Sequence, residues 1–295
     1  MNSVPSATFS GAVAIVGAPN VGKSTLLNRI IGKKISIVSH KPQTTQGRIL
    51  GILTRADRQI IFIDTPGIGK PLGKLASHLN RVAENARYEA DFIVAVLDAS
   101  KGLRDIDLGI LEGVAQARLP VFAVINKMDL STNERTIPLV STLSGRFGIE
   151  EFFPVSAKTG DGLERLVDGL LKRLPENPHI YEPHEQTDQT PESVVAEFVR
   201  EQIFLNAEQE LPYSIMVKTE EVDIEGEIVR AAAVIYGLNA RHRKILIGDG
   251  ASFVKKIRLF SKKRLKEYFG KPVQLTLRVK VNEGLMDDLT AYSEE

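Results

Sequence analysis

Four residues at fixed spacing could do chemistry on a phosphate. Gly17, Gly22, Lys23 and Ser24 fit G-x-x-x-x-G-K-S within the run Gly17-Ala18-Pro19-Asn20-Val21-Gly22-Lys23-Ser24-Thr25. A strand-like apolar run precedes them (Ala12 to Val16) and a helix-like run follows (Thr25 to Ile31), the setting in which such a loop can cradle an anion. Glycine lets the backbone curl so that successive N–H groups point inward, and the helix N-terminus adds its positive dipole end. Lys23 can reach β- and γ-phosphates, and the Ser24 hydroxyl can ligate Mg²⁺. The spacing predicts a site for a nucleoside triphosphate, with Gly17 to Thr25 as its phosphate loop.

Three weaker motifs follow. Asp64-Thr65-Pro66-Gly67 comes after the apolar run Ile60 to Ile63. A carboxylate at that strand end is suited to hold Mg²⁺ through water, and Gly67 offers a free N–H and a hinge near a γ-phosphate. Alone, the tetrapeptide is a turn signal. Asn126-Lys127-Met128-Asp129 follows the strand-like run Val121 to Ile125. The Asp129 carboxylate can accept from both the ring N–H and the exocyclic amine of guanine, whereas adenine would leave it facing a lone pair. Lys127 can lie along the base and Asn126 can tie loops together. Ser156-Ala157-Lys158 could bring a backbone N–H to the guanine carbonyl, and is a weak signal by itself. Order joins them: each sits at the C-terminal end of a buried strand, where ligands bind in open α/β sheets. An ATPase is the competing assignment, and the base preference at Asp129 separates the two.

The elements that must position these residues alternate. Candidate strands are 12–17, 48–54, 59–64, 92–98, 121–126 and 152–156; candidate helices are 22–31, 74–88, 105–116, 132–146 and 162–173. This is an α/β, doubly wound sheet. A proline-rich, polar stretch then breaks the pattern. The expected organisation is a nucleotide-binding domain over 1–174, a linker over 175–191, a smaller α+β domain over 192–283 and an acidic tail over 284–295. In the second domain, 192–206 has a helical period with Val195, Phe198, Val199 and Ile203 on one side. Strands are expected at 213–219, 228–236 and 273–281, and helices at 240–246 and 251–269.

The chain has 295 residues, ample for two domains, with ordinary globular values of 43% hydrophobic and 25% charged residues. It has no cysteine, so neither a disulfide framework nor a thiolate metal site is available. Met1 to Gly11 lacks a basic n-region and an apolar h-region, and no apolar run approaches a membrane span. A cytoplasmic location and a monomer are expected. The net charge of +1 hides an asymmetry. Between Arg241 and Lys280 stand thirteen lysines and arginines against Asp249 and Glu267, a local net of +11 that leaves −10 elsewhere. Such a split predicts a nucleic-acid or anionic surface on the basic side.

The motif order resembles the translation-factor-related GTPases, and most closely the Era family. Lys41-Pro42-Gln43-Thr44-Thr45-Gln46 looks like that family's first switch, Ile68-Gly69-Lys70-Pro71 follows its second motif, and Glu197 to Ile203 opens its second domain. The likeness runs from about residue 8 to about residue 283. It implies that Thr45, favoured over Thr44, ligates Mg²⁺ with Ser24 and Asp64. Lys23, Thr45 and Gly67 would act on the γ-phosphate, and Asn20 matches an asparagine that related enzymes use to hold K⁺. The order α-β-β-α-α-β resembles a type II KH domain, an RNA-binding module gripping single strands over a GxxG loop. Here that loop reads Gly248-Asp249-Gly250-Ala251, so its last glycine is replaced and an acid lies inside it. Arg241, Arg243, Lys244, Gly248, Gly250, Lys255, Lys256 and Arg258 would touch RNA.

The resemblance implies GTP hydrolysis to GDP, and as partner the 3′ end of small-subunit ribosomal RNA during small-subunit assembly. Docking on a protein or, peripherally, on an anionic membrane surface is the alternative. Ile68 stands where a water-orienting glutamine would be useful, so slow turnover is expected, at or below roughly 10⁻³ s⁻¹ without a partner or a cation.

Overall fold

The computed structural model describes residues 7–38, 49–64, 90–207, 211–282 and 284. The helix expected over 74–88, the first-switch residues Thr44 and Thr45, Gly67, Ile68 and all of the tail beyond 284 lie outside them. The chain divides into two compact units, residues 1–36 with 48–188, and residues 37–47 with 189–295.

In the first unit, the strands are β1 (Phe9–Val16), β2 (Ile49–Arg55), β3 (Arg58–Asp64), β4 (Phe92–Asp98), β5 (Val121–Asn126) and β6 (Glu151–Pro154). They form one sheet in the order β2-β3-β1-β4-β5-β6, parallel except that β2 runs antiparallel to β3. Strands buried on both faces read as continuous apolar runs, and every residue of β4 is buried. The helices are α1 (Lys23–Ile31), α2 (Asp105–Ala117), α3 (Asn133–Phe147) and α4 (Leu163–Leu171). Register places Ile15 beside Asp64 and Asp98 beside Asn126, so the strand ends that carry the motifs share one sheet edge. The sheet reverses direction of winding at β1, between β3 and β4. That is where a crevice opens in such folds.

The stretch expected as a linker has no helix or strand up to Thr190, yet it is tied to the first unit as far as Asp188. Ser10 N–H donates to Pro175 O at 3.2 Å and Ser10 Oγ to Pro178 O at 2.7 Å. The fully buried Gln59 accepts from Ile180 N and Tyr181 N at 2.9 and 3.0 Å and donates to Tyr181 O at 2.8 Å. Ile52 N–H on the β2 edge donates to Gln186 O at 2.9 Å. Proline lacks an N–H but supplies a carbonyl. A proline-rich segment can therefore cover a sheet without forming a strand.

The second unit contains α5 (Pro191–Asn206), β7 (Ile215–Asp223), β8 (Val229–Gly237), α6 (Ala240–Ile247), α7 (Ser252–Phe269) and β9 (Val273–Val281). The order is the α-β-β-α-α-β expected. β7 pairs antiparallel with β8, and β8 parallel with β9. Helix starts are capped as their residue types suggest: Thr190 Oγ1 accepts from Ser193 N, with Pro191 in the first turn, and Asn239 Oδ1 accepts from His242 N. Val195, Phe198, Val199 and Ile203 all face the core, packed with Ile215, Ile235, Ile257 and Leu265.

Candidate functional site

The loop from Gly17 to Gly22 is shaped by backbone that only glycine accepts without strain. Gly17 has φ 153° and a Cβ there would lie 2.5 Å from Val96 O; Gly22 has φ 103° and a Cβ would meet Asn126 Nδ2 at 2.3 Å. Asn20, at φ 64°, takes the left-handed turn conformation that asparagine tolerates. Ala18 and Val21 are buried, and Pro19 lies between them at the turn. α1 starts at Lys23, carrying Ser24 and Thr25 in its first turn. Lys23 is buried, and its Nζ donates to Gly17 O at 2.8 Å and Ala18 O at 3.1 Å, folding over its own loop. Burial lowers its pKa to about 8, against the pull of Asp64 in the other direction.

Asp64 closes β3 with no exposed surface. Its Oδ2 accepts hydroxyls from Ser24 and from Ser36, each at 3.0 Å, while Oδ1 is buried with no hydrogen-bond partner among the described residues. Burial raises its pKa, with Lys23, Ser36 and Ser24 acting against that. A buried carboxylate oxygen without a donor, beside a serine hydroxyl at the mouth of a phosphate loop, fits a hydrated divalent cation. No cluster of three His, Cys, Asp or Glu that could bind a metal by themselves occurs among the described residues.

Asn126, at the end of β5, ties the loops together as expected. Its Nδ2 donates to Val21 O at 2.8 Å and its Oδ1 accepts from Ala157 N at 2.9 Å. The Ala157 N–H is therefore engaged by the protein. Lys127, at φ 65°, donates to Asn20 O at 2.6 Å and to Asp98 Oδ2 at 2.7 Å. Asp129 is exposed, with Oδ1 accepting from Ser156 Oγ at 2.7 Å, which fixes the carboxylate's direction. Lys158 is exposed. All of these predicted residues converge on one edge of the sheet. Thr45 and Gly67 lie outside the described residues.

Three further residues belong to the arrangement and escaped the sequence. Asp98 ends β4, almost fully buried, and accepts from Lys127 Nζ and from Ser100 Oγ at 2.6 Å. Burial would raise its pKa, but the bonds from Lys127 and Ser100 hold it below the ordinary value. Its signal was available: it is the last residue of an apolar run, as Asp64 is. Ser36 and Asn28 carried no signal, since their contacts are tertiary.

In the second unit, Arg241, Arg243 and Lys244 are exposed on α6, and Lys255, Lys256 and Arg258 on α7. A shallow groove of about 330 Å³ runs between α7 and β9, lined by Lys255, Arg258, Leu259, Lys262, Gln274 and Thr276, with Leu275 at its base. Gly248, at φ 72°, Gly250, at φ 58°, and Ala251, at φ 61°, turn the chain between the two helices. Lys255 Nζ donates to Gly250 O at 3.0 Å, so the loop and the groove are joined. Lys262 belongs to the basic run of the same helix, whereas Gln274 and Thr276 were not anticipated.

Comparison with known proteins agrees with this geometry. Residues 12–127 match a family model described as 50S ribosome-binding GTPase, and residues 210–284 match the KH domain. A curated GTPase Era of Caldicellulosiruptor saccharolyticus is 40% identical over 285 residues, covering 96% of this chain and 95% of the relative. The GTPase Era of Rhizobium meliloti is 38% identical over 288 residues, covering 97% and 92%. A crystal structure of Era in complex with MgGDPNP and nucleotides 1506-1542 of 16S ribosomal RNA superposes with a TM-score of 0.87 at 34% identity, covering 97% of this chain and 98% of that one. An Aquifex aeolicus Era variant bound to GDP and aluminium fluoride matches equally well, with a TM-score of 0.87 and 34% identity. With likeness spanning both units and nearly the full length of each relative, this chain belongs to the Era family of GTPases.

Proposed function

We infer that the protein is a GTP-hydrolysing switch that binds small-subunit ribosomal RNA near its 3′ end and acts in assembly of the small subunit. One observation carries the guanine half: Asn126 bridges Val21 in the phosphate loop to Ala157, beside the Ser156 that aims Asp129. Base recognition and phosphate binding are thus parts of one rigid assembly. The solved Era complex with MgGDPNP and 16S ribosomal RNA supports the RNA half.

The site residues have separable roles. Lys23 and the loop N–H groups from Gly17 to Thr25 neutralise charge on the phosphates, which is most of the catalysis in phosphoryl transfer. Ser24, Thr45 and, through water, Asp64 would hold Mg²⁺. Bound there, the ion would supply positive charge against that developing on the phosphates. Gly67 would place its N–H at the γ-phosphate. Asp129, Asn126, Lys127 and the Ser156–Lys158 turn select guanine. Asn20 would hold K⁺, and equal hydrolysis rates in potassium and sodium would dismiss that role. Arg241, Arg243, Lys244, Lys255, Lys256 and Arg258, with Gly248 and Gly250, would meet the RNA backbone. The protein acts as a monomer.

GTP turnover of the full chain is measured with and without an oligonucleotide of the 16S 3′ end, alongside Asp129→Asn. Stimulated turnover and a switch of the variant to xanthine nucleotides are expected. Unchanged base choice would overturn the guanine assignment. RNA that neither binds at low salt nor stimulates would leave the basic face to a protein or an anionic membrane surface. No described helix is long and apolar enough to cross a membrane.

A further inference from the structure

Ser36 is buried at 1% exposure, and its hydroxyl reaches the same oxygen of Asp64 that Ser24 reaches. Its position is fixed from behind. Asn28, in the second turn of α1, accepts from Ile35 N and Ser36 N at 2.8 Å each and donates to Ser36 O at 2.7 Å. A half-buried side chain making three bonds to two consecutive residues is a clamp. It holds the segment after α1 against the helix that begins in the phosphate loop. Ser36 is thus a rigid donor, anchored to the helix that begins in the phosphate loop.

We propose that Ser36, clamped by Asn28, is a positioning residue for the magnesium site, fixing the Asp64 carboxylate so that Oδ1 remains for the metal's water shell. This rests on the assignment of Ser24 and Asp64 to Mg²⁺. The physical ground is the division of donors on one carboxylate. Two hydroxyls arriving from different segments pin Oδ2, and Oδ1 has no donor among the described residues. The Ser24 hydroxyl is itself to be shared with the ion. Ser36 is the donor whose geometry the ion does not disturb. With Ser36 gone, a single bond would leave the carboxylate free to turn. Groups that orient metal-binding side chains typically change metal affinity by about 10- to 100-fold when removed.

The test follows release of a fluorescent GDP from the full chain, in Mg²⁺ and in EDTA. For the unaltered chain, Mg²⁺ should slow release. For Ser36→Ala, release in Mg²⁺ should quicken about tenfold and the Mg²⁺ concentration for half effect should rise by a similar factor. Release in EDTA should stay as in the unaltered chain. Asn28→Ala, which keeps the hydroxyl and loosens its support, should move both quantities in the same direction. An unchanged Mg²⁺ requirement in Ser36→Ala, or equal acceleration in both conditions, would overturn the proposal. An unaltered chain indifferent to Mg²⁺ would overturn the metal assignment beneath it as well.

Discussion

Lys23 has a charge that the fold makes conditional. In the free protein burial lowers its pKa from 10.5 to about 8, with Asp64 pulling it back up. Holding the ammonium charged below pH 8 then costs the folded state roughly 3 kcal/mol relative to the unfolded chain. The sign follows from proton counting. Between pH 8 and 10.5 the unfolded chain keeps a proton that the folded chain has shed, so the Lys23 contribution makes the free protein more stable as pH rises across that window. A bound polyphosphate reverses the shift by favouring the ammonium. Nucleotide binding near pH 9 should therefore take up close to one proton, and near pH 6 almost none. Calorimetry in buffers of different ionisation heat measures this directly, and an uptake that does not vary with pH would contradict the burial of Lys23. This residue was legible because a lysine after the glycine at position 22 has few other uses. Asp98 ends an apolar run as Asp64 does, but its role was not legible, because its value lies in Lys127, which it meets across the neighbouring strands β4 and β5.

Elements were legible where hydrophobic period was strong. The strands over 92–98, 121–126 and 273–281 have the bounds expected of them, and the others lie within a few residues. The antiparallel course of β2 was not legible, since composition does not carry strand direction. Nor was the covering of its edge. Low periodicity over 175–191 signalled missing secondary structure, not missing contacts, and Gln59 is what turns that stretch into a strap. Its amide satisfies Ile180 N, Tyr181 N and Tyr181 O together. Gln59→Leu would leave these three groups without it and should cost about 3 kcal/mol in urea unfolding, with faster proteolysis within 175–188. A change under about 0.5 kcal/mol would mean that the strap is held elsewhere. The loop before α7 holds a second departure from the ordinary. Ala251 sits at φ 61°, where an L-residue with a Cβ is strained by about 1 kcal/mol or more. Ala251→Gly should relieve that strain, offset in part by greater freedom of the unfolded chain. The expected result is equal stability or a gain of up to about 1 kcal/mol in chemical denaturation, where an ordinary alanine-to-glycine change would lose about that much.

Across the whole molecule, charge is divided by segment: +11 between Arg241 and Lys280 and −10 over the remainder. Such a division draws a polyanion to the basic segment and turns it away from the rest. Phosphate contacts release counterions, and for single strands each contributes about −0.7 to the slope of log affinity against log salt. If the six exposed cations Arg241, Arg243, Lys244, Lys255, Lys256 and Arg258 each meet a phosphate, the slope for the full chain on a single-stranded RNA should be about −4. Arg258→Ala should make that slope shallower by about 0.7 and weaken binding alike for every RNA sequence, because phosphate contacts carry no sequence information. Asp249 should act with the opposite sign. It is exposed in the turn between α6 and α7, the one acidic residue among these cations. Asp249→Asn should tighten binding at low salt, with the gain shrinking as salt screens it and sequence preference unchanged. A slope near zero would show the cations of α6 and α7 to be a solvated surface. A steep slope indifferent to Arg258→Ala would move the contact to the other lysines of α7. Fluorescence anisotropy of one labelled RNA across a salt series separates these outcomes, and none of them touches the guanine site on the acidic side of the divide.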